Sequence, residues 1–112
     1  MCHEILITET RNSWIILLTV IKEYAPQYKL LLKAGYSTKL LEEFQKAMNE
    51  QVNYQNSELY YSNCYWTSAI IGVINQWIIN DMNISIEELS DIGSKLMTEG
   101  IKNINTFGNQ CI

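Results

Sequence analysis

The sequence predicts an all-α fold, and three observations carry that prediction. Apolar residues recur at spacings of three and four along most of the chain, a single proline, Pro26, interrupts it, and the five glycines fall mostly where a helix would end. At 112 residues the chain is one domain's worth, so residues 1–112 read as a single helical domain.

The first helical segment centres on WIILLTVI, residues 14–21, and Leu17, Ile21, Tyr24, Tyr28 and Leu31 carry its spacing across Pro26. Proline lacks an amide donor and clashes with the preceding turn. Two helices or one kinked helix are therefore expected, closed by Gly35. Ser37 or Thr38 then offers a cap for a helix whose Leu41, Phe44, Met48 and Val52 share one face. Glu42 and Lys46 stand four apart on its wet side. NYQNS, residues 53–57, reads as a break, and Ser57 opens a long segment running to about Asn80. Ser85 and Glu88 have the spacing of a reciprocal capping box, and Ile86, Leu89, Ile92 and Leu96 form the apolar stripe of the last helix. The tail after Gly100 reads as a fraying end.

Charge and cysteine usage exclude several classes. The net charge is -4, the lysines are scattered and Arg11 is the single arginine, so nothing resembles a phosphate-binding patch. Cys2, Cys64 and Cys111 are odd in number, widely separated and without a CxxC pair, which points to free thiols in a reducing cytoplasm and to no metal site or cofactor. The start, MCHEILITETRNSW, lacks the basic opening of a secretory signal. A cytoplasmic location follows as the expectation. Adjacent carboxylates at Glu42–Glu43 and Glu87–Glu88 diverge by about 100° on a helix and read as solvated surface. His3 has no partner Ser or Cys in a strained turn, and Cys64 has no neighbouring base or cation. No catalytic residue emerges, and the chain does not read as an enzyme.

From Leu59 to Asn80 no residue carries a charge, and the segment is as long as the roughly 20 residues a bilayer requires. Yet Ser62, Asn63, Thr67, Ser68, Asn75 and Gln76 would each bring a polar group into lipid, and no cluster of Lys or Arg flanks either end. A membrane span is therefore not expected. On a helical wheel Leu59, Trp66, Ala69, Ile70, Val73, Ile74 and Trp77 form one broad stripe, while Tyr60, Tyr61, Cys64, Ser68, Ile71, Ile78 and Ile79 form a weaker second surface. A helix apolar nearly all round is buried on more than one side. The expected arrangement is a central helix with its own core on one side and another chain on the other, Gly72 permitting close approach.

The pair Tyr60-Tyr61, then Gly72, Trp77 five residues later, a short turn and Ser85-Ile86-Glu87-Glu88-Leu89 together resemble the C-terminal regulatory domain of the TetR/AcrR family of bacterial transcriptional regulators. The likeness is sharpest over residues 57–97 and extends, more loosely, to about nine tenths of the chain. It implies an effector-binding and dimerisation domain in which the last two long helices, residues 57–80 and 85–100, pack against the same pair of a dyad mate as a four-helix interface. Carried over by position, Gly72, Val73, Trp77, Leu89, Ile92 and Leu96 lie at or near that interface, and the wheel adds Trp66 and Ile70. The other helices are implied to enclose a pocket for a small apolar or aromatic effector, for which Trp14, Leu18, Tyr24, Tyr28, Phe44, Met48, Tyr61, Cys64 and Tyr65 are the candidates. Such regulators begin with a basic helix-turn-helix domain that has no counterpart in this sequence, so DNA binding is expected only through a domain these residues lack. A small helical dimerisation or adaptor module without a ligand is the alternative.

Overall fold

The computed structural model of the protein describes the backbone of residues 3–50, 52 and 55–108 and the side chains of residues 8–50, 52 and 55–99. Among the described residues there are five helices and no strand: α1 His3–Glu23, α2 Ala25–Lys33, α3 Ser37–Asn49, α4 Ser57–Ile79 and α5 Ile86–Gly108. The all-α expectation holds.

Several boundaries differ from the sequence reading. The first helix begins at His3, well before the apolar run at Trp14, and Thr8, Glu9 and Arg11 are compatible with a helix that has one wet face. The last helix passes through Gly100 and continues to Gly108, so the expected fraying tail is helical there. Gly72 and Gly93 also lie inside helices rather than at their ends. Neither Ser37 nor Thr38 caps α3; Tyr36 occupies the cap position without a side-chain bond. Asn56, one residue before Ser57, caps α4 by accepting the Leu59 amide at 3.3 Å. The Ser85 hydroxyl accepts the Glu88 amide at 3.0 Å, forming the serine half of the expected capping box. Cys2, Cys111 and the side chain of His3 lie outside the described residues.

The chain forms two compact units, residues 1–23 with 84–112, and residues 24–83. In the first, α1 packs on α5. Trp14, Leu18, Ile21 and Leu89 are buried, and α5 offers small residues, Ser90, Gly93 and Ser94, at the positions where the large side chains of α1 need room. Gly93 is the closest approach. A methyl group there would stand 2.6 Å from Trp14 Cζ2 and 2.7 Å from Cδ2, far inside van der Waals contact. The indole is held from the other end as well, its Nε1 donating to Met97 Sδ at 3.2 Å. Arg11 and Asp91 form an ion pair at the edge of this packing.

In the second unit, α3 and α2 both pack on α4. Pro26 sits in the first turn of α2, where its missing amide hydrogen breaks no helical bond, so the two-helix alternative is realised. A Schellman motif closes α2: Gly35 takes φ +87, its amide donates to Leu32 O and that of Tyr36 to Leu31 O. The same motif closes α4, with Asp81 amide to Ile78 O at 3.0 Å and Met82 amide to Trp77 O at 2.7 Å. Here Asp81 at φ 58 and Met82 at φ 53 occupy the left-handed region without being glycine. Asp81 is tied down by an ion pair with Lys29 on α2, whose hydrogen bond holds the Asp81 carboxyl below its ordinary value.

Tyr28 is buried, and its hydroxyl donates to Asn75 Oδ1 on α4 at 2.6 Å. Burial pushes its phenol above the ordinary value of 10.0. The neutral form is therefore the one the fold favours. Its contribution to stability is complete below pH 10 and is lost as pH rises through the raised value. Urea midpoints measured from pH 9 to pH 12 should accordingly fall more steeply for the native chain than for Tyr28→Phe; parallel curves would remove Tyr28 from the alkaline response.

Candidate functional site

Two features stand out on the second unit. The first is a hollow between α3 and α4 of about 610 Å³, lined by Glu42, Glu43, Gln45, Lys46, Ala47, Asn49, Glu50, Tyr60 and Cys64. Its polar walls are fixed by bonds that cross between the helices. Gln45 Nε2 donates to Ser68 Oγ at 3.0 Å, and Ser68 in turn donates to the Cys64 carbonyl at 2.8 Å. Asn63 Nδ2 donates to Asn49 Oδ1 at 3.1 Å, and Asn49 Nδ2 donates to Cys64 Sγ at 3.5 Å. Lys39 pairs with Glu43 one turn away at 3.1 Å. That hydrogen bond first, and then the charge of Lys46, hold the Glu43 carboxyl below its ordinary value.

The hollow gathers few of the pocket candidates. Cys64 lines it. Trp14, Leu18 and Tyr28 are buried core, Leu18 to 0% exposure. Tyr24, Met48, Tyr61 and Tyr65 are exposed, and Phe44 is half-buried. Sequence reasoning passed over the polar residues because it searched for an apolar pocket. A usable signal was present nonetheless: Glu43, Lys46 or Ala47, and Glu50 recur at helical spacing beside the apolar stripe of α3, with small Ala47 leaving room between long side chains.

The second feature is the outer face of α4. Thr67, Ile71, Ile74, Trp77 and Ile78 turn inward, while Tyr61, Tyr65, Ala69, Gly72, Gln76 and Ile79 are exposed in a line along the opposite side. After Glu58 this line carries no charge. Tyr61 and Tyr65 are 66% and 63% exposed, and a methyl group at Gly72 would meet nothing within 4 Å. Of the interface candidates, Gly72 lies on this outer line, and Trp66, Ile70 and Val73 are half-buried beside it. Trp77 and Leu89 are buried within the chain itself. On α5, Ile92 is exposed and Leu96 half-buried.

A family model described as transcriptional regulator C-terminal region, of the TetR type, matches residues 9–99. The chain belongs to this family. Comparison with curated proteins and with solved structures returns no significant match. The match covers all of α2, α3 and α4 and most of α1 and α5, so the TetR-type region takes in both the hollow and the outer face of α4. Among the described residues of this regulator region, no group of His, Cys, Asp and Glu could hold a metal ion, and no helix is long and apolar enough to cross a membrane.

Proposed function

We propose that residues 1–112 are the dimerisation and effector-binding part of a cytoplasmic TetR-like regulator, with DNA contact made by a helix-turn-helix outside these residues. The observation that carries the dimer is the uncharged outer face of α4. Burying a charge without a partner is costly, so a helix face that is exposed yet free of charge is suited to a second protein surface. The face also fits itself. About a dyad near residue 66, antiparallel copies set Tyr61 opposite Gly72 and Tyr65 opposite Ser68, so each ring meets a small residue and the contact is isologous.

Size sets the expected strength. A helix of 23 residues is about 34 Å long, and a strip roughly 10 Å wide gives about 340 Å² per partner, less than half of the roughly 800 Å² typical of a stable complex. A further helix is therefore needed for a tight dimer, the role that family resemblance assigns to α5. An adaptor without a ligand would dimerise equally well, but it leaves the α3–α4 hollow without a use.

Multi-angle light scattering across a concentration series tests the dimer. The native chain is expected to run at twice its 13.0 kDa mass. Gly72→Arg, placed where the chain leaves open space, should shift it to monomer with its helix content intact. A native chain that stays monomeric at high micromolar concentration would sink the proposal.

A further inference from the structure

We propose that α3 is a movable cover on α4: it opens as a unit while α2 and α4 stay packed on each other. The observation behind this is how little of α3 is buried. None of its 13 residues is, whereas the 9-residue α2 buries Ala25 and Tyr28, and α4 buries Thr67, Ile71, Ile74, Trp77 and Ile78. Burial of apolar surface is the dominant force that fixes one element on another. Among the three helices of its unit, α3 is therefore the most weakly anchored.

Hydrogen bonds take over part of that work. The half-buried residues of α3 are Leu40, Leu41, Phe44, Gln45 and Asn49, and two of these five are amides. Gln45 bonds to Ser68, and Asn49 is shared between Asn63 and Cys64. When the helices part, such bonds are exchanged for bonds to water at a small net cost, and the Gln45–Ser68 bond is already exposed to solvent. At the other end Gly35, at φ +87, separates α3 from α2, so the closing turn of α2 stays in place when α3 leaves. A helix of 13 residues is marginal in water by itself, so its backbone bonds open with it. Because the hollow is walled by both helices, opening dismantles it. Anything held there binds the closed form alone, and its binding is linked to the opening.

Hydrogen exchange on the full chain tests the proposal, with the half-buried Cys64 thiol as a second probe of the surface that α3 covers. Amides of residues 41–49 are expected to exchange on the order of 100-fold faster than those of residues 71–78, at a rate that changes little with low urea, as a local opening requires. The reaction of Cys64 with N-ethylmaleimide, read by peptide mapping apart from Cys2 and Cys111, should be slower than that of an unfolded thiol and should follow the same opening. Gln45→Ala with Asn49→Ala should raise the α3 exchange and the Cys64 rate about tenfold. Leu41→Ala, about two turns from Asn49, should raise the Cys64 rate at least threefold, because a unit that opens as one responds to a loss at either end. Tyr28→Phe removes the α2–α4 bond to Asn75, which the open form keeps, so it should speed exchange in residues 71–78 and leave α3 and Cys64 unchanged. Circular dichroism establishes that each variant is folded. A single exchange rate for α3 and α4, a Cys64 rate that responds to Asn49 but not to Leu41, or a Tyr28→Phe effect on α3 as large as that on α4 would overturn the proposal.

Discussion

Gly93→Ala is expected to destabilise the protein by about 1–3 kcal/mol, although the same change in an open helix stabilises by up to about 1 kcal/mol. The added methyl would overlap the Trp14 indole, at 2.6 Å from Cζ2. The ring cannot swing aside without leaving its bond to Met97 and the buried site it fills. Urea unfolding of four proteins resolves the cause: the native chain, Gly93→Ala, Trp14→Leu and the double variant. If the clash is responsible, the alanine costs much less once the indole is gone, giving a coupling well above 0.5 kcal/mol. Additive losses would place the cost elsewhere. Gly72→Ala is the internal comparison, because nothing in the chain lies within 4 Å of its added methyl. Measured in dilute solution it should be neutral or mildly stabilising.

Trp77→Asp has the larger expected effect: loss of the cooperative fold rather than loss of a dimer. Trp77 is 4% exposed, and truncating a buried tryptophan costs about 3–5 kcal/mol before any charge is considered. An unpaired carboxylate left in that site adds several more. Together they approach the whole stability of a domain, about 5–15 kcal/mol. The variant should show reduced helicity and no unfolding transition, in contrast to Gly72→Arg, which changes only the outer face. A folded, monomeric Trp77→Asp protein would mean that Trp77 belongs to the intermolecular surface after all.

That contrast marks the boundary of what was legible beforehand. The helical segments follow from spacing and from the Ser85 cap, because these are local effects that each segment carries within itself, while the choice between two helices and one kinked helix at Pro26 was left to the structure. The family was legible too, from Tyr60-Tyr61, Gly72, Trp77 and the Ser85–Leu89 opening of α5, and the match over residues 9–99 bears it out. The orientation of α4 was not. With no charge between Leu59 and Asn80, its amphipathic signal is too weak to say which way the helix is turned, and the wheel placed Trp66 and Trp77 on one stripe. The structure buries Trp77, leaves Trp66 half-buried and turns Tyr65 outward.

The hollow is a sharper case. Its walls come from residues 42–50 and from residues 60 and 64, brought together only because α3 folds back on α4. Glu42 and Glu43 stay exposed, as the sequence reading expected, and Glu50 is exposed with them; what no local pattern showed is that Tyr60 and Cys64 of α4 face them. Gly93 makes the same point, since a glycine inside a helix costs stability locally and finds its reason only in the Trp14 ring from the far end of the chain. By itself, then, the sequence determined the helical segments, the Ser85 cap and the family, all properties of neighbours a few residues apart. Tertiary packing alone decided which face of α4 is free, why position 93 must be glycine and which residues of α4 close the hollow beside α3, because each depends on groups far apart in the chain whose meeting no local pattern encodes.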